Sequence, residues 1–533
     1  MSKARPKPLS FNTTMRNPDR LEKFLEILAK YEGEILSNSI IFDVCYEVIM
    51  RKLYVTMTQK RVLKWKNILY SEENYTREQA VEIVQMTPQK HKEKGFDVGW
   101  ESRFDTWYKL SMEFGFCYYS MGKKIEISEL GHRLIEAYNE IPANNEMIQN
   151  IFLHAMAKFQ TSTPFRKNAN QNVPLLLLLR VLSMLKADKS ENQSGIFSKE
   201  IAFFLCWKDN NAERLYRYIK KFRKKYGFNY SDEFIYEKCL EFFTDAEHPT
   251  IDSLKSYIKF DKLMKETPDE YIRKMRITGI ISLRGNGRFL DLNTLESEKI
   301  NYLLSNYGKP VVIQDRKKYY NYLKTCDENL LRIQEKPTDN IDLKQSVLLR
   351  YAQMYTDEKL ERELILTYKG ESKDELLKFI ESPTRLEFLT AIALVKYFPE
   401  VKVSPNYTVD DEGLPKFTAG AGKADIECEN DEVQGIVEVT LMTGVAQQTE
   451  HEVASIDDHL SKIENDSSKL SLALFIAPII RERAMRYLNF LNSTYHKESP
   501  HGGIVPILIA DVVKKFSETA YFRNLAENLK IAV

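Results

Sequence analysis

Between residues 384 and 510 the sequence alternates between helical and strand periods, and this alternation most constrains what the chain can fold into. Residues 384–398 keep the period of an amphipathic helix that carries Glu387. Residues 401–407 read as a strand, and 423–428 and 434–441 as two more around a turn at Asn430-Asp431. Residues 447–463 return to helix. The apolar runs 472–477 and 504–510 are of the buried-strand type, separated by a further helix. Helix, three strands, helix, strand predicts a compact α/β unit.

Within that unit, the acids of residues 421–440, AGKADIECENDEVQGIVEVT, stand out. A turn centred between Asn430 and Asp431 puts Asp425 opposite Ile436, with Glu438 two residues along on the same face. Such diagonal neighbours lie roughly 7–8 Å apart at the backbone, within reach for two carboxylates that share a cation. Moving the turn by half a residue flips the parity and separates them. Glu427, Glu429, Asp431 and Glu432 crowd the same hairpin, so on spacing alone a solvated acidic face also accounts for the pattern.

The preceding 380 residues have a different texture. A chain of 533 residues exceeds one ordinary core, and 43% hydrophobic with 29% charged residues argues for folded domains rather than disorder. The net charge of +1 gives no global sign of a nucleic-acid partner, so any such signal must come from local segregation. An N-terminal arm carries Lys3, Arg5 and Lys7, and Arg16 and Arg20 flank a helix start at Asn17-Pro18-Asp19. Arginines at a helix N-terminus oppose its dipole unless they serve a partner. Residues 100–138 read as helix, two-stranded wing, helix. In 211–230, Leu215, Ile219, Phe222 and Tyr226 form an apolar stripe, while Arg214, Arg217, Lys221 and Lys224 line another face. Farther on, Arg284 and Arg288 flank a Gly-Asn-Gly hairpin turn. Basic faces and hairpin tips of this kind suit phosphate contacts, although each is also compatible with a solvated surface.

These features predict a mainly α N-terminal half with winged-helix-like units, a helical linker and a C-terminal α/β domain. The expected divisions are a candidate reading region at 1–305, with subdomains of about 1–145 and 146–305, a linker at 306–382 and the α/β domain at 383–533. The six cysteines are scattered without a CxxC pair, which argues against a zinc site or a disulfide framework. The N-terminus lacks the apolar run of a secretory signal, and the apolar stretch 173–185 is interrupted by Arg180 and too short to span a bilayer. A cytoplasmic, bacterial protein without a membrane partner is expected.

Glu387 in a helix, Asp425 after a Gly-rich turn and Glu438 thirteen residues later in GIVEVT resemble the PD-(D/E)XK nuclease core. FNTTMRNPDR, PTRLEFLTAIAL, AGKADIE, VEVTLMTG and QQTEHE together resemble the AlwI-type family of type IIS restriction endonucleases, which includes related nicking endonucleases. The resemblance implies cleavage of double-stranded DNA at a fixed offset from a short asymmetric site, with Mg²⁺ as cofactor. It implies that Asp425, Glu438 and the Val439 carbonyl hold the ion and that Glu387 supports a second ion or the attacking water. Thr440 occupies the position where the superfamily often has a lysine. Gln447, Gln448, Glu450 and Glu452 are the supporting candidates in the next helix, Glu452 foremost. Phosphate contacts are expected from Arg16, Arg20, Arg214, Arg217, Lys221, Lys224, Arg284 and Arg288. Cutting both strands would require a second catalytic subunit or a transient homodimer.

Overall fold

The computed structural model describes residues 7–11, 15–69, 71, 73–140, 143–168, 170–190, 195–245, 250–334, 341–420, 422–466, 468–496 and 501–529. Lys3, Arg5, Asn12 to Thr14 of the FNTTMRNPDR motif, and Ala421 lie outside them. The chain divides into two units, Met1–Lys336 and Pro337–Val533.

The first unit is mostly helical. Helix Trp100–Glu113 leads into a two-stranded antiparallel ribbon, β1 (Cys117–Tyr118) and β2 (Glu126–Ile127), and then into helix Glu129–Asn139. Ser128 caps that helix by accepting the Gly131 N–H at 3.0 Å, a standard way to satisfy a helix's first free donors. A second arrangement joins β3 (Ile196–Phe197), β4 (Ile281–Arg284) and β5 (Phe289–Leu292) in a three-stranded antiparallel sheet of order β3-β5-β4. The β4–β5 turn holds Gly285, Asn286 and Gly287 all at positive φ, which explains the Gly-Asn-Gly sequence. Helix Ala212–Tyr226 buries Leu215, Ile219 and Phe222, as its apolar stripe predicts. Arg223 on the same helix turns inward, where it pairs with both Glu200 oxygens at 2.8 and 2.6 Å.

The second unit is built on a mixed five-stranded sheet. Its strands are β6 (Lys402–Pro405), β9 (Ile426–Glu429), β10 (Val433–Val439), β11 (Leu470–Ala477) and β12 (His501–Leu508), in the order β12-β11-β10-β9-β6. A separate short hairpin, β7 (Thr408–Val409) and β8 (Pro415–Phe417), lies between β6 and β9 in the chain. β6, β9 and β10 run antiparallel, and β10, β11 and β12 run parallel. Parallel neighbours need crossovers, supplied here by helices Val453–Asp466 and Glu482–Thr494. Their Val453, Ile456, Leu460, Ala484, Leu488 and Leu491 pack on Ile436, Ala473, Phe475 and Ile504 of the sheet. Helix Ser382–Tyr397 packs against β6 and β10 and is buried along almost its whole length.

Residues 306–382 are shared between the units. Helices Arg316–Lys324 and Glu328–Leu331 fall in the first, and helices Ile341–Met354 and Asp357–Tyr368 pack on Ser382–Tyr397 in the second. Among the described residues, no helix is long and apolar enough to cross a membrane.

Candidate active site

Gly422, at φ +71°, makes the left-handed turn that leads through Lys423 into Asp425. The β9–β10 register pairs Gln434 with Glu429 and Ile436 with Glu427, which corrects the Asp425–Ile436 pairing expected from the sequence. The turn centres one residue later, because the Asn430 side chain accepts the N–H groups of Glu432 and Val433 at 2.8 and 2.9 Å. Asn430 therefore closes the turn instead of occupying its middle. A shift of one whole residue preserves parity, so continuing the ladder places Asp425 directly across from Glu438. The Val439 N–H donates to Asp425 Oδ2 at 2.8 Å and holds that side chain at the strand end.

Strand alternation sends Glu438 to the face of Ile436, towards helix Val453–Asp466. There Glu438 Oε1 meets His459 Nδ1 at 2.7 Å, with both side chains nearly buried. The sequence motifs do not single out His459; its signal is its position seven residues after Glu452, which is two helical turns and hence the same face.

Glu387 enters from Ser382–Tyr397 with only 3% of its surface exposed. One oxygen accepts the Ala419 N–H at 3.2 Å, a meagre compensation for a buried carboxylate. Burial, with the nearby charge of Glu438, pushes its carboxyl up to about 8. Glu452 ends a π-helical turn, Gln447–Glu452, and accepts the Thr440 hydroxyl at 3.4 Å. Burial and Glu438 push it up to about 7. Asp425 is held well above the usual carboxylate range by burial first, then by the charges of Glu387, Glu438 and Glu452. Four acids thus converge without a compensating cationic side chain at Thr440, which is itself buried.

The donor chemistry, all carboxylate oxygen, fits a hard divalent cation such as Mg²⁺. The set is open: no three of its donors lie within 4.8 Å of one another. A tighter group elsewhere, Glu129, Cys326 and Glu328, is accounted for by Arg133, which reaches Glu129 at 2.6 Å and Glu328 at 2.9 Å.

The other supporting candidates are placed differently. Gln447 and Glu450 are exposed, and Glu450 lies 3.6 Å from Arg483. Gln448 is buried and fully engaged. Its amide donates to the Met442 and Ile479 carbonyls at 2.9 and 2.7 Å and accepts the Arg481 N–H at 3.0 Å. Gln448 therefore clamps the loops that follow β10 and β11. Gln448→Ala is expected to lower stability by about 2–3 kcal/mol, since buried backbone groups lose their partners. A urea midpoint equal to that of the parent protein would refute this role.

The basic residues divide in the same way. Lys221, Lys224 and Arg288 are exposed. Arg214 pairs with Asp209 over the Trp207 ring, and Arg217 pairs with Glu213, both at the surface. Arg16 stands 3.9 Å from Asp269 and is 45% exposed. Arg20 instead donates to the Leu53 carbonyl, and Arg284 binds Asp291 at 2.8 Å and the Leu292 carbonyl at 3.0 Å.

A sheet unit with clustered acids, in one chain with a helical unit bearing an exposed basic helix, has the makeup of a DNA-cleaving enzyme. The family model described as AlwI restriction endonuclease matches residues 112–364 and 358–514, and the chain belongs to that family. No curated protein matches the chain. Similar solved structures include the small subunit (R.BspD6I2) of the heterodimeric restriction endonuclease R.BspD6I. It has a TM-score of 0.27 and 19% identity, covering 33% of this chain and 87% of that one. Restriction endonuclease FokI is similar at TM-score 0.23 and 10% identity, covering 96% of this chain and 95% of that one. FokI bound to DNA gives 0.23 and 11%, covering 99% and 97%. Likeness at these scores carries no residue-level correspondence.

Proposed function

We propose that the chain is a type IIS restriction endonuclease of the PD-(D/E)XK superfamily. It recognises a short asymmetric site in double-stranded DNA and hydrolyses phosphodiester bonds at a fixed distance outside it, with Mg²⁺. The reading rests above all on the convergence of Glu387, Asp425, Glu438 and Glu452 at one end of the β9–β10 hairpin. Family membership and the separate basic helix Ala212–Tyr226 support it.

Residues 1–305 would form the reader, in two winged-helix-like parts, and 383–533 the cutter, with 306–382 between them. Arg214, Arg217, Lys221, Lys224 and Arg288 are the exposed phosphate contacts, and Arg16 is a further exposed candidate. Arg20 and Arg284 would have to leave their carbonyl partners to join.

Asp425, Glu438 and the Val439 carbonyl would hold the ion, which when bound supplies positive charge against the scissile phosphate. Glu387, with one oxygen fixed by Ala419, orients the attacking water through the other. Glu452 can take up a proton at Oε2 near neutral pH, because its carboxyl titrates at about 7. His459 fixes the orientation of Glu438.

One centre per chain cuts one strand at a time, so double-strand cleavage would require a second catalytic subunit, a transient homodimer or rebinding. A strand-specific nicking enzyme of the same family is the second reading, favoured by that single centre. Supercoiled plasmid incubated with protein and Mg²⁺ should yield linear product for the first reading and open circles for the second. Run-off sequencing should place every cut at one offset from one asymmetric sequence. Unchanged plasmid would indicate a DNA-binding protein without cleavage and sink both readings.

A further inference from the structure

A cavity of about 230 Å³ opens between the β9–β10 hairpin and helix Val453–Asp466, lined among others by Lys423, Glu427, Glu429, His459 and Lys462. Through His459 it adjoins Glu438 of the acid centre. Lys423 stands two residues before Asp425. Lys462 stands one helical turn beyond His459, which touches Glu438. The charges in this cavity are not evenly matched. Glu427 accepts the Asn406 amide at 3.0 Å, and Glu429 is paired with Lys469 at 2.8 Å. Lys423 and Lys462 are exposed and have no ion-pair or hydrogen-bonding side-chain partner among the described residues. Thr440 leaves the acid cluster without a lysine of its own, so positive charge for a polyanionic backbone has to come from beside the cluster.

We infer that Lys423 and Lys462 form a two-lysine clamp for the backbone phosphate next to the scissile one, placed in the hairpin–helix cavity. This inference rests on the nuclease reading of Asp425 and Glu438. Two flexible ammonium groups on opposite walls suit a phosphate as point charges, with no base recognition required. They place positive charge beside the centre instead of within it, so they would hold the strand without competing for the carboxylates.

The test uses the full-length protein as Lys423→Gln, Lys462→Gln and the double variant, with cleavage of plasmid followed as kcat/KM over a salt series. Each duplex phosphate neutralised contributes a salt slope of about 0.9, so loss of both lysines from their one phosphate should make the slope shallower by roughly 1, each single loss by about half that, and cleavage by the double variant should fall about tenfold or more at moderate salt. Lys→Arg at both positions should restore most of the rate and the slope. Because both side chains are exposed, the melting temperature should not move. A rate loss without a change of slope would assign the lysines a structural role and overturn the clamp, as would an unchanged rate and slope. Asp425→Asn, measured in parallel, separates the two levels. If it cleaves normally, the nuclease reading fails; if it is inactive while the lysine variants match the parent, only the clamp fails.

Discussion

Asp425→Asn and Glu438→Gln should each reduce DNA cleavage by about 10³-fold or more, which corresponds to losing several kcal/mol of transition-state charge stabilisation. The conservative variants make the cause readable. Asn at 425 retains an oxygen to accept the Val439 N–H that Asp425 now accepts at 2.8 Å, so the strand end keeps its geometry. Gln at 438 retains an acceptor for His459. What each variant removes is a carboxylate able to ligate the cation. DNA binding without divalent ion should therefore stay nearly the same, because burial already keeps Asp425 and its neighbours Glu387 and Glu452 largely protonated in the ion-free fold. Glu387→Gln should cost less than Asp425→Asn, and Glu452→Gln least, since each stands farther from direct cation ligation in the proposed arrangement. Cleavage and binding measured separately decide the matter. Full activity in Asp425→Asn would place the chemistry elsewhere, and loss of both binding and cleavage would mean that the substitution had damaged the fold.

How much of this centre could be read in advance depended on the range of the interaction involved. Asp425 and Glu438 share a face because of side-chain alternation, a property of local sequence, and that survived a turn displaced by one residue. The displacement came from Asn430, whose side chain bonds two backbone groups and thereby chooses which residues form the turn. The long apolar strands β10, β11 and β12 and the helices between them were legible because each has enough residues to show a period. β3, β7 and β8 have two or three residues each, so they have no period and exist only through their partners. The same limit applies to side chains. An arginine at a helix entrance looks like a phosphate contact until the Leu53 carbonyl is found beside Arg20. Gln448 looks like a polar site residue until three backbone partners surround it. His459 lies two turns after Glu452 on the same helix face, a relation that carries meaning only once Glu438 is found against it.

The unusual electrostatics of the centre lead to a prediction about stability. In an unfolded chain Glu387, Glu452 and Asp425 titrate in the ordinary carboxyl range. In the folded protein Glu387 is pushed up to about 8, Glu452 to about 7, and Asp425 well above its usual range, with burial as the first cause in each case. Below about pH 3 both states hold these protons, and the shifts have no effect on folding. Above that, the unfolded state releases them while the folded state retains them, so the folded state binds more protons and stability falls as pH rises. The decline should set in near pH 4 and continue through the range in which Glu452 and Glu387 titrate, at about 7 and about 8. With a chelator present, stability should fall by on the order of several kcal/mol over this window, visible as a melting temperature lower by roughly 10 °C or more. Mg²⁺ neutralises the same oxygens, so its stabilisation should be small at pH 5.5 and large at pH 8.5, with protons released on binding. Glu387→Gln should be more stable than the parent at pH 8.5 in chelator and should flatten the profile, because it removes a buried charge that the apo fold does not compensate. Thermal unfolding at three pH values, with EDTA and with Mg²⁺, is sufficient as a test. Parallel EDTA and Mg²⁺ profiles would mean that the four acids neither strain the folded protein nor share a cation.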